Sequence, residues 1–312
     1  MTRERFLRSS DGTSLFVTST DGEGVPLVLC DGLGCDGFIW KKLVPAFVGR
    51  HPMIHMHYRG HGKSGIPADL ESLTVPNLVR DLAHVLDVLG AGPVVLLGHS
   101  MGCQVVLDFA LTHRERVAGI IPICGSAGRP LETFHNSALL ATVMPHLRQM
   151  ADRWPSLAQT AWAVALRSEL SYQYASHVEV NGALVSRADF WPYFEHLLSM
   201  DVRVFTAMAT HANAHSVEDR LRNIACPTLI VAGERDAFTP FWVSQQVRQT
   251  IPDAELLVVP GGTHIAPLEI PELVHLRVAR FLAERVQAQW GNTSTVVSPK
   301  RGAHPPAAAL VS

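Results

Sequence analysis

The chain has 312 residues, of which 47% are hydrophobic, and its charge is nearly balanced, with 26 Lys and Arg against 28 Asp and Glu. This balance leaves no basic field for nucleic acid, and no apolar run reaches the roughly 18 residues that a membrane span needs. The length allows one large domain or two small ones. The cysteines are Cys30, Cys35, Cys103, Cys124 and Cys226. Their scattered positions in apolar runs, with no signal-like start, predict free thiols in a cytoplasmic protein.

The first part of the chain alternates predicted strands with predicted helices. The pair Asp11-Gly12 lies between two short runs and predicts a hairpin of antiparallel strands. Further strands are predicted at 25–30, 53–58, 94–97 and 118–124, and helices at 38–47 and 77–89. The helix over 77–89 has an apolar stripe, with Pro76 near its start and Gly90 just past its end, as helix ends prefer. This alternation predicts a mostly parallel sheet with right-handed crossovers.

The pattern changes over residues 126–222, which have helical spacing, many aromatic residues and no clear strand runs. We interpret this segment as a helical cap inserted into a core formed by 1–125 and 223–290. A set of additional core helices is the alternative. Strands at 227–232 and 255–259 and helices at 241–251 and 274–282 resume the earlier pattern. Residues 291–312, rich in Ser, Thr, Pro and Ala, predict a disordered tail.

One stretch, Gly98-His99-Ser100-Met101-Gly102, follows the apolar run 94–97 and leads into helical spacing. Glycines on both sides of Ser100 suit a sharp strand-to-helix turn that exposes the serine hydroxyl. The stretch resembles the nucleophile elbow of the α/β-hydrolase superfamily, and the turn over 59–64, Arg-Gly-His-Gly-Lys-Ser, resembles one that is common there. The resemblance implies an α/β-hydrolase fold: a mostly parallel eight-stranded sheet flanked by helices, with an inserted helical cap.

The resemblance also implies a catalytic triad in the chain order serine, acid, histidine, each at the carboxyl end of a strand. Ser100, Asp236 and His264 occupy these places. In some relatives the acid follows the strand that corresponds to 118–124, but the loop 125–128 has no carboxylate, so Asp236 is the candidate acid. Glu234, in the same loop as Asp236, is its close rival. Taken singly, Asp236 could be a helix cap and His264 an ordinary loop histidine. In a triad the imidazole accepts the serine proton, and the carboxylate fixes the imidazole tautomer.

The donors for an oxyanion are implied to be the backbone N–H groups of Leu33 and Met101. Relatives usually begin the first of these loops with His-Gly, whereas this chain has Asp31 before Gly32. A carboxylate facing the oxyanion would oppose catalysis. We therefore expect Asp31 to point away from the serine and to accept backbone N–H bonds near residues 34–35, so that Asp31→Asn would be nearly silent.

Other polar residues predict structural roles. His55 and His57 share one face of a predicted strand, but no third ligand lies at metal-site spacing, so we predict neither a metal nor a cofactor. Cys103 is interpreted as a small core residue and His99 as a structural hydrogen-bonding group.

The sequence therefore predicts a serine hydrolase that cleaves a carboxylic ester or lactone of a small, fairly apolar molecule through an acyl-enzyme. The fold alone also allows a carbon–carbon bond hydrolase or a cofactor-free haloperoxidase or perhydrolase. A ligand sensor with a capped pocket and little turnover is the alternative from another class. The expected partner is a small-molecule substrate, and the sequence predicts neither its identity nor the oligomeric state.

Overall fold

One eight-stranded sheet organises the chain, for which the computed structural model describes residues 1–176 and 180–288. The strands are β1 (Arg3–Arg8), β2 (Ser14–Ser19), β3 (Leu27–Cys30), β4 (Met53–Met56), β5 (Val94–His99), β6 (Val117–Ile123), β7 (Thr228–Gly233) and β8 (Ala254–Val259). Their order across the sheet is β1-β2-β4-β3-β5-β6-β7-β8. The pairs β1–β2 and β2–β4 are antiparallel, and all the remaining pairs are parallel. The predicted fold class is confirmed.

Helices cover both faces of this sheet. They are α1 (Leu43–Phe47), α2 (Val75–Leu89), α3 (Met101–Thr112), α4 (Leu139–Arg153), α5 (Pro155–Arg167), α6 (Glu169–Tyr174), α7 (Arg187–Ser199), α8 (Val202–Ala214), α9 (Phe241–Thr250), α10 (Ala266–Glu269) and α11 (Pro271–Phe281). Along β5, Leu96 joins the core beneath α2 and α3, whereas Val95 and Leu97 join the core beneath α1 and α11. Burial on both faces explains why the central strands are continuous apolar runs.

Most of the predicted elements form close to the expected bounds. The hairpin at Asp11-Gly12 is confirmed, with Gly12 at a φ of 85°. The end of α2 is also confirmed, because Gly90 closes it with a φ of 63°. The helix predicted over 38–47 is instead a 3₁₀ turn at Phe38–Trp40 followed by the short α1.

The described residues between β6 and β7 form the helices α4–α8, so the helical character of this segment agrees with the sequence. Its first helix, α4, packs against its last, α8. Whether 126–222 forms a separate cap domain stays a prediction. The proposed tail over 291–312 lies outside the described residues. Within the described ranges, no helix is long and apolar enough to cross a membrane, and all five cysteines are free thiols.

Candidate active site

Ser100 lies at the junction of β5 and α3, where its backbone has a φ of 53° and a ψ of −119°. This conformation is strained for a residue with a Cβ. The neighbouring glycines are required by space. A Cβ on Gly98 would lie 2.4 Å from the carbonyl oxygen of Gly102, and one on Gly102 would lie 2.2 Å from that of Cys30. The turn is therefore built around a serine held in an unusual backbone conformation.

His264 and Asp236 meet at the carboxyl ends of β8 and β7. The His264 Nδ1 lies 3.1 and 3.0 Å from the two carboxylate oxygens of Asp236. The same carboxylate accepts bonds from the backbone N–H groups of Phe238 and Thr239 at 2.8 and 2.9 Å, and from the Thr239 hydroxyl at 2.9 Å. These donors fix the carboxylate, which in turn fixes the imidazole with its Nε2 free to accept a proton.

The rival acid does not reach the imidazole. Glu234 is exposed, and its carboxylate accepts a bond from the backbone N–H of Gly261 at 2.8 Å. The geometry therefore favours Asp236 over Glu234 as the partner of His264.

His99 connects the serine turn to the histidine loop. Its Nε2 donates to the carbonyl oxygen of His264 at 2.9 Å, and the two ring centroids are 4.9 Å apart. Burial and the nearby His264 lower the pKa of His99 to about 3, so its ring stays neutral. Within the described part of the chain, the Ser100 hydroxyl makes no direct hydrogen bond to His264. In unliganded sites this bond is often long, and it tightens only with substrate.

The loop that carries Leu33 lies directly against the serine. A Cβ on Gly32 would be 3.0 Å from the Ser100 Cβ, and Met101 begins α3, where backbone N–H groups have no helical acceptor. The structure thus brings both loop segments beside Ser100. That the Leu33 and Met101 N–H groups bind an oxyanion stays a prediction.

The partners of Asp31 differ from the predicted ones. Its carboxylate is fully buried and accepts bonds from Trp40 Nε1 and His55 Nε2, each at 2.7 Å. The expectation that it bonds the backbone near residues 34–35 is wrong, since Cys35 donates its N–H to the Gly32 carbonyl instead. The physical reason is strand register: β3 pairs with β4, and this places His55 within reach of the residue that follows β3.

Asp31 and His55 form a buried ion pair. Burial disfavours the charged form of His55, but the Asp31 carboxylate outweighs this effect and raises the pKa of His55. Burial likewise acts to raise the pKa of Asp31, but charged His55 lowers it overall. The pair therefore anchors the start of the Leu33 loop to β4, on the side away from β5.

Further histidines lie near this pair. Burial lowers the pKa of both His57 and His61 to about 4. The Nε2 atoms of His61 and His196 are buried without hydrogen-bond partners. Across the described ranges, no group of three or more His, Cys, Asp or Glu side chains could hold a metal ion.

The turn over 59–64 has a structural anchor. Arg59 is buried and makes two bonds of 2.8 Å to the carboxylate of Asp81, and a third of 2.7 Å to Asp11. Such a charge-assisted pair fixes the orientation of both side chains. The arginine therefore holds the hairpin, β4 and α2 together.

A mostly parallel eight-stranded sheet, a strained serine after β5 and a His–Asp pair at the ends of β8 and β7 define an α/β-type hydrolase. The sequence pattern of the alpha/beta hydrolase fold family matches residues 25–271. The chain belongs to this family.

Individual relatives agree with this assignment. A protein provisionally named carbamate hydrolase RutD, from Azorhizobium caulinodans, is 26% identical over 274 residues, which are 84% of this chain and 93% of that protein. Among solved structures, a bromoperoxidase from Bacillus anthracis has a TM-score of 0.74 at 19% identity, over 90% of this chain and 100% of its own. The esterase EaEST from Exiguobacterium antarcticum has a TM-score of 0.71 at 19% identity, with the same coverage. The two structural likenesses show the fold alone, whereas the family and the names of its relatives support a hydrolase enzyme.

Proposed function

We propose that the protein is a serine hydrolase that cleaves a carboxylic ester or lactone of a small, fairly apolar molecule through an acyl-enzyme. The observation that carries the proposal is the pairing of His264 Nδ1 with both oxygens of Asp236, next to the strained Ser100 turn. A serine hydroxyl needs a fixed imidazole acceptor in order to lose its proton during attack.

In the proposed reaction, the Ser100 Oγ attacks the substrate carbonyl carbon while His264 Nε2 takes the hydroxyl proton. The resulting oxyanion accepts bonds from the backbone N–H groups of Leu33 and Met101. The intermediate collapses, the bond between the carbonyl carbon and the alcohol oxygen breaks, and His264 returns its proton to the leaving alcohol. Asp236 stabilises the imidazolium throughout.

Water completes the cycle by the same route. It attacks the acyl carbonyl, gives one proton to His264, and releases the carboxylic acid as the proton returns to Ser100 Oγ. Apart from this water, each step uses only side chains and backbone N–H groups that the chain itself supplies.

The preference for an apolar substrate is supported by the aromatic composition of α7. Phe190, Trp191, Tyr193 and Phe194 pack against one another with ring centroids 5.5–6.2 Å apart. Tyr193 also contacts Phe38 of the core, with the two ring centroids 5.2 Å apart. We propose that the segment 126–222 acts as the cap over the site, and that this aromatic cluster selects the acyl group.

A carbamate is the second candidate substrate class, favoured by the relative named carbamate hydrolase. Attack by the same serine would expel the alcohol and leave a carbamoyl group on Ser100 in place of an acyl group, so the two classes differ in the transferred group and in pocket fit.

A substrate panel tests the proposal. It contains p-nitrophenyl esters from acetate to hexanoate, a γ-lactone, a simple carbamate, and a bromination assay with peroxide and bromide. We expect multiple turnovers of the esters, with an initial burst of p-nitrophenol if deacylation is slow. Turnover confined to the carbamate would replace the ester assignment by the second candidate. Binding without turnover of any member would contradict a hydrolase and favour a sensor.

A further inference from the structure

Glu269 is a buried carboxylate that the proposed reaction does not use. It ends α10 and is 5% exposed. One of its oxygens accepts the Thr263 backbone N–H at 2.6 Å. The other accepts the Thr263 hydroxyl at 2.7 Å and the Asn181 backbone N–H at 2.8 Å. One side chain thus joins the residue that precedes His264 to the segment between β6 and β7.

This arrangement requires a carboxylate. Burial raises the pKa of Glu269 above its ordinary value and outweighs the bonds from Thr263 and Asn181, which act in the opposite direction. Both oxygens face backbone N–H donors, and an ionised carboxylate has acceptor sites for all of them. A glutamine would turn its NH₂ group toward one of these N–H donors, so at least one buried donor would lose its acceptor.

The backbone around His264 is held from both sides. Glu269 holds Thr263, on the N-terminal side, and the His99 ring donates to the carbonyl oxygen of His264 itself. Close packing adds to this restraint, since a Cβ on Gly233 would lie 2.3 Å from the Thr263 carbonyl oxygen. The position of the imidazole is therefore set by its main chain as well as by its bond to the acid.

Asn181 makes a second link to the same loop. Its side-chain NH₂ donates to the carbonyl oxygen of Gly261 at 3.2 Å, in addition to the bond from its backbone N–H to Glu269. Asn181 therefore bonds both to the loop that carries His264 and to the carboxylate of Glu269, which holds Thr263 in that loop.

We propose that Glu269 is a positioning residue: it fixes the backbone of the His264 loop and couples that loop to the inserted segment through Asn181. The inference rests on the proposed function, because it assigns the loop the task of presenting the base. A base displaced by about 1 Å can cost on the order of 100-fold in rate, even when substrate binding is retained.

The test compares Glu269→Gln and Thr263→Val with a matched control, Asp108→Asn. Asp108 is also a 5% exposed carboxylate, but it pairs with His215 and Arg220 away from the His264 loop. Hydrolysis of p-nitrophenyl butyrate is measured well below each melting temperature. We expect Glu269→Gln to lower kcat by about 10- to 100-fold with KM changed by less than about threefold. Thr263→Val, which removes one of three bonds, should lower kcat by about three- to tenfold.

The control separates positioning from general destabilisation. Asp108→Asn should lower the melting temperature but leave kcat within about twofold of the wild type. If Glu269→Gln fails to fold, Thr263→Val decides the matter in the same assay. An unchanged kcat in the folded variant, while Ser100→Ala is inactive, would overturn the role of Glu269 and leave the serine mechanism intact. Full turnover by Ser100→Ala would instead overturn the proposed function.

Discussion

Burial of side chains differs between two regions of the molecule. The loops at the strand ends bury polar groups, whereas the helices between β6 and β7 leave some large apolar groups exposed. Around the candidate site, carboxylates such as Asp31, Asp236 and Glu269 are buried and accept two or more bonds each. In α4 and α5, large apolar side chains stay in solvent instead, with Leu139 68% exposed and Val164 67% exposed.

This contrast separates positions that tolerate change from positions that do not. Replacing a buried carboxylate that accepts several bonds leaves at least one buried donor without an acceptor. Replacing an exposed apolar side chain removes few contacts. We therefore expect substitutions at the strand ends to lower kcat. Substitutions in the helices α4–α8 should change which substrates are accepted.

The largest effect is expected for Ser100→Ala, which removes the proposed nucleophile. Catalysis should fall by about 10⁴- to 10⁶-fold in kcat while the melting temperature stays close to that of the wild type, by analogy with serine hydrolases that have lost their nucleophile. Ser244→Ala is the control, since Ser244 is a buried serine of α9, whereas Ser100 is half-buried in the turn after β5. A Ser100→Ala variant with more than about a tenth of wild-type kcat would contradict the assignment of Ser100 as the nucleophile.

Asp236→Asn should have the next largest effect, because the amide favours the wrong tautomer of His264. A loss of up to about 10⁴-fold in kcat is expected. Glu234→Gln is the control for the rival acid and should leave kcat within about threefold of the wild type. If Glu234→Gln were the more damaging change, the acid would be misassigned despite its 3.0 Å contact with His264.

Asp31→Asn should lower both stability and activity, contrary to the expectation from the sequence, because the partner of Asp31 is charged His55 and not the loop backbone. We expect a stability loss of about 3–5 kcal/mol, as for other broken buried pairs, and about a tenfold loss in kcat from a less rigid Leu33 loop. Urea unfolding and ester hydrolysis measure the two effects.

The pH dependence of this loss has a defined sign. The pKa of His55 is raised in the folded protein and that of Asp31 is lowered. The stabilisation from His55 is fully present below its unfolded value, about 6.5, and is lost as the pH rises through the raised folded value. The stability gap between wild type and Asp31→Asn should therefore be larger at pH 5.5 than at pH 9. A gap that widens toward pH 9 would contradict a charged pair.

The smallest effect concerns the inserted helices. If the aromatic cluster of α7 selects the acyl group, each added methylene from acetate to hexanoate should raise kcat/KM by roughly fourfold, from about 0.8 kcal/mol per buried group. Phe194→Ala should reduce this increase of kcat/KM with acyl chain length. Trp154→Ser, at a position that is 52% exposed, should not. A series that falls steadily with chain length in the wild type would remove the proposed role of the cluster.

The sequence predicts the sheet better than the inserted helices for a physical reason. Strands such as β5 are buried on both faces, so their apolar runs stand out, and α2 has both a stripe and a Gly90 cap. The internal prolines Pro145 of α4 and Pro192 of α7 obscure the helix bounds, and so do the exposed apolar residues of α4.

The site residues also differ in how far the sequence predicts them. Ser100, Asp236 and His264 could be proposed because the resemblance implies a triad at strand ends and each of them lies in the turn or loop after a recognisable strand. The partners of Asp31 could not be proposed, because His55 comes into reach only through the β3–β4 register. The link from Glu269 to Asn181 joins residues 88 positions apart, and no local pattern signals it.

The most direct test of the central claim is covalent labelling. The wild-type protein is incubated with a fluorophosphonate, its intact mass is measured, and the modified residue is mapped by peptide sequencing. We expect one adduct per chain on Ser100, absent in Ser100→Ala and retained in Ser244→Ala. An adduct on another residue, or full labelling of Ser100→Ala, would contradict the claim that Ser100 is the nucleophile.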